Sequence, residues 1–385
     1  MTITESELRQ HFPVLEHVNF FNHAGVSVIS RPAAEALSRY AQEASHGEGL
    51  AGAWHQRLDA VRSLCARLIG ADSPEEVAFV PNTSTGLSLV ARGLRWQPGD
   101  QVVITDVEYP ANRYPWQDLG RFGVEMVQVR QRPDRRIHVE DVIAAIGPRT
   151  RVVSLSHVQY ASGHRIDLAP IAAAVHAGGG FLCVDAIQSL GAIPMDVRAS
   201  GIDFLAADGH KWLLGPEGAG LFYCRAALLE SLHPAVVGWL NMVEAMDFGN
   251  YRYEFAPTAQ RFEPGSYNVP GLLAMGASIE LLHSIGVEQV WSRLHELTSR
   301  LAAGLESRGW RLWSPRRDES ETSGIVVFQP PAERDVDPKR LVSKLKGDGH
   351  IIVVREGRLR ASPHFYNEPA QIDALLEALD THSRQ

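Results

Sequence analysis

The chain has 385 residues, 45% of them hydrophobic and 21% charged, with a formal net charge of -8. That length holds one large and one smaller domain, and an acidic chain without a basic stripe argues against nucleic acid as a partner. No apolar run is long enough to span a bilayer, the first residues lack a signal-peptide pattern, and the 3 cysteines and 16 histidines show no metal or disulfide spacing, which fits a reducing cytoplasm and argues against a metal site.

In chain order, residues 6–16 read as a short amphipathic arm and 18–21 as a strand. Asn22-His23-Ala24-Gly25-Val26 makes a small-residue turn before a helix over 32–42, with Pro32 in its first turn. A polar loop over 46–52 follows. A helix over 54–69 carries Leu58, Val61, Leu64, Cys65 and Leu68 at helical spacing and stops at Gly70. A strand over 77–80 runs into Pro81-Asn82-Thr83-Ser84-Thr85-Gly86 and then a helix over 87–93. Free N–H groups and the positive end of a helix dipole meet at such a turn and can cradle a phosphate. An ordinary Ser/Thr cap has the same residues.

Strands over 101–104, 124–129, 151–155 and 181–184 alternate with helices over 139–146 and 167–176. This alternation predicts an α/β fold with a mostly parallel sheet. The strand over 181–184 ends in Asp185, with Gln188 just beyond. The next apolar run ends in Asp208-Gly209-His210-Lys211, followed by Trp212, Leu213 and Leu214. In open α/β sheets the ligand crevice lies at the carboxyl ends of the strands. A lysine among apolar and small neighbours has a depressed pKa and becomes a usable nucleophile; a lysine at the mouth of a βα loop is the plainer reading. An acid and a lysine at the ends of successive strands are what pyridoxal 5'-phosphate (PLP) requires.

After a strand over 220–224, residues 236–264 are irregular and aromatic-rich, with Trp239, Phe248, Tyr251, Tyr253, Phe255 and Phe262. A loop of that length in a compact domain is usually functional. It ends in Gly265-Ser266. Helices over 270–283 and 287–308, strands over 325–329, 350–354 and 359–361, and a helix over 369–379 complete the chain.

The Asp185…Gln188 and Gly209-His210-Lys211 pair, with the element order from about Asn19 to Asn367, resembles the class V aminotransferase and cysteine desulfurase superfamily of fold-type I PLP-dependent enzymes. The resemblance implies a large PLP-binding domain over 18–268 with a mostly parallel sheet. It also implies a smaller α+β C-terminal domain over 269–385, with the arm 1–17 packed near it. Lys211 would form the Schiff base and Asp185 would keep the pyridine nitrogen protonated. Thr83, Ser84 and His210 would hold the phosphate, Gln188 the ring oxygen, and Asp208 belongs to the same set. Tyr109 takes the place of a ring, often histidine, that covers the cofactor, and Tyr160 and Ser162 face its substituents. Asn22 and His23 would line the substrate side. Arg360 would clamp an α-carboxylate through its fork of donors, whereas Arg355 and Arg358 read as surface arginines and His157 as a structural residue. Ser266 would reach a partner's cofactor phosphate in a homodimer with shared sites. The aromatics before it suit an interface core, or pack inside the monomer.

Sulfur-transferring relatives carry a mobile cysteine shortly before this arginine. Residues 353–358 here read Val-Val-Arg-Glu-Gly-Arg, and no cysteine follows Cys224. The expectation is therefore aminotransfer on an amino acid, with lyase or epimerase chemistry as the alternative and a standard cysteine desulfurase disfavoured. A nicotinamide enzyme needs a glycine-rich turn after an early strand, and Gly178-Gly179-Gly180 precedes its strand. A non-catalytic binding protein would not need Lys211, Asp185 and Arg360 together.

Overall fold

The structure is a computed structural model that describes residues 4–47 and 53–383; most of the predicted 46–52 loop and the first three residues of the arm lie outside the described residues. The arm forms a helix, Glu5–His11, and its Phe12 stacks on Tyr366 with ring centroids 4.0 Å apart. The chain then enters β1 (Asn19–Phe20).

Seven strands build the main sheet: β2 (Val77–Val80), β3 (Gln101–Thr105), β4 (Glu125–Val129), β5 (Thr150–Ser156), β6 (Phe181–Asp185), β7 (Phe204–Asp208) and β8 (Gly220–Cys224). Their order is β2-β8-β7-β6-β5-β3-β4. Strands β3 to β7 run parallel to their neighbours, while β8 is antiparallel to both β7 and β2. Strands β7 and β8 are buried throughout, as expected where helices cover both faces. Ser156 pairs with Asp185, and Asp185 with Ala206, so the acidic strand ends lie along one edge.

The helix Thr83–Gly93 packs directly on β7. A Cβ at Gly86 would sit 2.6 Å from the Ala206 Cβ, so glycine is what lets the helix come this close. It starts at Thr83 rather than at residue 87, because the Asn82 side chain caps it by accepting from the Thr85 N–H at 2.9 Å. Helix Val269–Ile285 packs against Arg31–Ser45 and Ala53–Ile69. The chain bends by 82° into Val287–Ser307, which lays Leu297, Leu301 and Leu305 into the core of the second layer. No single described helix is long and apolar enough to cross a membrane.

That layer contains an antiparallel sheet of β9 (Arg311–Leu312), β10 (Val326–Gln329), β12 (Val353–Arg355) and β13 (Arg358–Ala361), in the order β12-β13-β10-β9. The run expected as one strand over 350–354 is split. Its first part, β11 (His350–Ile351), pairs in parallel with β1, and only after Ile352 does the chain continue as β12, paired with β13. Strands β12 and β13 are joined by Glu356 and Gly357 alone, both with positive φ (47° and 76°), as a two-residue type I′ turn requires. Helix Pro338–Gly347 has no counterpart in the sequence reading. Only Leu341 and Leu345 are buried in its lysine- and arginine-rich segment, so its apolar stripe is narrow.

Candidate active site

A cavity of about 420 Å³ opens at the carboxyl ends of the parallel strands and takes in Thr83, Ser84, Tyr109, Tyr160, Asp185, Gln188, Asp208, His210, Lys211, Asn22 and Arg360. Residues from β6, β7, the Thr83–Gly93 helix and β13 meet here because the sheet register aligns the strand ends.

Lys211 is buried just past β7, with its Nζ 5.7 Å from the Tyr109 ring centroid. Burial lowers its proton affinity; the charge of Asp185 opposes this, while Arg360 and Arg355 add to it. Asp185 Oδ1 accepts from the Ile187 N–H at 3.0 Å. Its Oδ2 is buried without a partner. Burial, assisted by repulsion from Glu108, pushes the Asp185 carboxyl above its ordinary range. Arg360 is 1% exposed. Its Nη1 donates to the Tyr160 carbonyl at 3.0 Å, and its Nε and Nη2 are buried and unpartnered. Burial first, and then Arg355, lowers its pKa to about 9. The Tyr160 ring meets Tyr109 edge-on at 5.1 Å. Its hydroxyl donates to Glu356 at 2.8 Å, and burial, with that carboxylate, raises it to about 12.

At the helix end, Thr83 Oγ1 accepts from the Asp208 N–H at 3.1 Å, and the hydroxyl can still donate. His210 Nδ1 lies 2.9 Å from Asp208 Oδ2 but is not aligned for a hydrogen bond, and Asp208 Oδ1 is also unpartnered. Gln188 Oε1 accepts from Trp212 Nε1 at 3.1 Å, and its Nε2 donates to the Ala24 carbonyl at 3.0 Å. One amide N–H of Gln188 is left for a ligand, but its oxygen is already engaged.

Two sequence-based expectations, those for His23 and Ser162, are corrected. His23 does not reach the cavity. It is fully buried, with Nδ1 2.8 Å from the Ser362 carbonyl and Nε2 2.6 Å from the Tyr366 hydroxyl, and burial holds its pKa well below the ordinary value. Ser162 is a turn residue whose hydroxyl accepts from the His164 N–H. Ser266 lies in a separate hollow with Pro81, Gly218, Gly265 and Tyr267, apart from its own chain's Lys211.

Two site residues escaped the sequence reading. Arg355 is exposed, as a surface arginine is expected to be, and also lines the cavity. Glu108 is buried beneath it, accepting from Thr105, Asn112, Ser156 and Gln159. The only signal for Glu108 was its place between β3 and Tyr109. Among the described residues no group of three or more His, Cys, Asp and Glu side chains is placed to hold a metal ion.

The unpartnered atoms decide which ligand fits. A buried carboxylate oxygen, a buried lysine amine, a helix N-terminus with free N–H groups and a flanking ring match the ring nitrogen, aldehyde, phosphate and face of PLP. This fold and site define a PLP-dependent enzyme of fold type I.

The family model for aminotransferase class-V matches residues 23–375. A probable cysteine desulfurase of Methanothermobacter thermautotrophicus is 30% identical, covering 97% of both chains. Among solved structures, the apo cysteine desulfurase from Thermococcus onnurineus NA1 superposes with a TM-score of 0.91 at 25% identity, covering 100% of both chains. The cystine C-S lyase C-DES is similar in two structures. A mutant with glycine covalently linked to the PLP cofactor gives 0.88, and the complex with its reaction product cysteine persulfide gives 0.87, each at 25% identity and covering 96% of this chain and 98% of that one. The chain belongs to the aminotransferase class-V family.

Proposed function

We propose that this chain is a PLP-dependent C–S lyase that removes a sulfur-bearing group from the β-carbon of an amino acid. Lys211, Asp185 and Arg360 sharing one cavity that no thiol reaches is the observation that carries it. Cys65, Cys183 and Cys224 are all buried in the core, and burial raises the Cys65 thiol to about 12 and the other two further. The two-residue Glu356-Gly357 turn stands where sulfur-transferring relatives place a mobile cysteine. The names of the similar proteins favour sulfur chemistry; the enclosed thiols disfavour passing that sulfur to the enzyme.

When bound, PLP supplies a sink for the electron pair left at Cα. Asp185 Oδ2 would face the ring nitrogen and hold its proton. Thr83, Ser84 and His210 would receive the phosphate, and Tyr109 would cover the ring. Arg360, with its free Nε and Nη2, would hold the α-carboxylate and so orient the Cα–H bond. The Lys211 amine, its proton affinity lowered by burial, would take the Cα proton. The Cβ–S bond then breaks with its electrons on sulfur, and the thiolate leaves. Water converts the three-carbon remainder to pyruvate and ammonia.

Aminotransfer, the expectation from sequence, would use the same side chains and is carried by names alone, the family's and that of one similar protein. Products decide. With cysteine as substrate, a lyase yields pyruvate, ammonia and sulfide, a desulfurase yields alanine, and aminotransfer yields mercaptopyruvate. Alanine or mercaptopyruvate as the main product overturns the lyase reading.

A homodimer with shared sites is part of the proposal. Its support is the position of Ser266 outside its own chain's cavity, beside a loop that exposes Trp239, Phe248, Tyr251 and Tyr253.

A further inference from the structure

Strands β12 and β13 pair with Val353 opposite Arg360 and Arg355 opposite Arg358. Paired residues share a face, and so do residues two apart along a strand. Arg355, Arg358 and Arg360 therefore project from one face, joined by the tight Glu356-Gly357 turn. Three like charges this close repel one another unless each is compensated.

Arg358 is compensated. Its guanidinium lies 3.4 Å from the Trp313 ring centroid and donates to the Glu356 carbonyl at 3.1 Å. The carboxylate of Glu356 is engaged by Tyr160. Arg360 has two unpartnered nitrogens in the cavity wall and no ion pair among the described residues. Arg355 lines the same cavity with no ion pair or side-chain hydrogen bond among the described residues. The lining holds three acids, Asp185, Asp208 and Glu217, and among the described residues none of them forms an ion pair with Arg355 or Arg360. The cavity thus presents two guanidinium groups, and an amino acid's α-carboxylate occupies one of them.

We infer that the substrate is an amino acid whose sulfur substituent ends in a second anionic group, a carboxylate in the simplest case, held by Arg355 while Arg360 holds the α-carboxylate. This rests on reading the pocket as a β-elimination site. The short turn leaves Arg355 beside the cavity, with no longer loop between them. Planar, bidentate donors suit a carboxylate better than a lysine would.

The test compares S-carboxymethyl-cysteine with S-carbamoylmethyl-cysteine, its neutral amide of the same shape, on the PLP-loaded enzyme. Elimination from the acid releases thioglycolate, pyruvate and ammonia with uptake of one water. We expect kcat/KM to favour the acid at least tenfold. Arg355→Gln should lower the acid-over-amide ratio of kcat/KM at least tenfold, mainly by raising KM for the acid. Equal use of both substrates, or an equal loss on both in the variant, overturns the assignment. If neither substrate releases a thiol, the elimination reading fails, and calorimetry still decides Arg355. Glutarate must then bind at least tenfold more tightly than butyrate, and Arg355→Gln must erase that difference. Equal binding of the two acids overturns the inference independently of the reaction.

Discussion

Ser156 donates both its backbone N–H and its hydroxyl to the Glu108 carboxylate, at 3.1 and 2.5 Å, from the position that pairs in register with Asp185. Glu108 thereby ties the end of β5 to the loop after β3, with Asn112 adding a bond at 3.0 Å. Glu108→Gln places an amide N–H₂ where donors already converge, leaving at least one of them buried without an acceptor. Unfolding free energy should fall by about 1–3 kcal/mol, read from the urea midpoint. An unchanged midpoint would show that the network contributes nothing to the fold.

Asp185 gives the opposite sign. Its folded pKa is raised above the ordinary carboxyl value, so above about pH 4 the unfolded chain loses a proton that the folded chain retains. Its contribution to stability is therefore greatest at low pH and declines as pH rises through that window. In the cofactor-free protein, Asp185→Asn should be more stable than the parent, by on the order of 1 kcal/mol near neutral pH, and the gap should widen from pH 4 upward. In the loaded enzyme the same change should cut turnover far more than cofactor affinity, because an amide cannot hold the ring nitrogen's proton. Near-normal turnover with cofactor bound would sink the role given to Asp185.

Lys211→Ala should leave the fold intact and abolish covalent attachment of the cofactor. Borohydride reduction followed by peptide mass mapping should find the pyridoxyl group on Lys211 in the parent and on no lysine in the variant. Turnover should drop by roughly 10³-fold or more. Because burial lowers the Lys211 pKa, the parent's activity should reach its plateau at a pH below the ordinary lysine range of about 10.4. A pyridoxyl group on another lysine would refute the assignment.

The strand ends were legible because each apolar run of β6 and β7 stops at an acid, and the second is followed by a lysine with no charged neighbour. Such patterns are local, so sequence alone carries them. Glu108 was not legible, since its donors come from four separate positions on β3, β5 and the loops after them. Arg355 reads as a surface arginine and is exposed, but strand alternation gives a face and not what that face meets, so its place in the cavity wall was not legible. The resemblance assigned both Asn22 and His23 to the substrate side, and only Asn22 lines the cavity. The chain turns at His23, which points into the ring cluster of Trp212, His364 and Tyr366. Helix Pro338–Gly347 was hidden by its charge, although Asp337 followed by Pro338 is a recognisable start.

The last prediction concerns Ser266, which the structure separates from its own chain's Lys211. If a second copy supplies Ser266 to the phosphate end near Thr83 and His210, each working site draws on two chains. The exposed rings of Trp239, Phe248, Tyr251 and Tyr253 give that contact its apolar surface, since large rings are enriched at interface cores. Lys211→Ala and Ser266→Trp should each be inactive alone. After subunit exchange, a mixed dimer contains one site built from an intact Lys211 and the other chain's intact Ser266. Equal mixing should form half of the dimers as mixed pairs, each with one of its two sites restored, so about a quarter of the parent's activity should return. Sedimentation should give a dimer at working concentration. Failure to regain activity after proven exchange, or an active monomer, would show that Ser266 serves no partner's site.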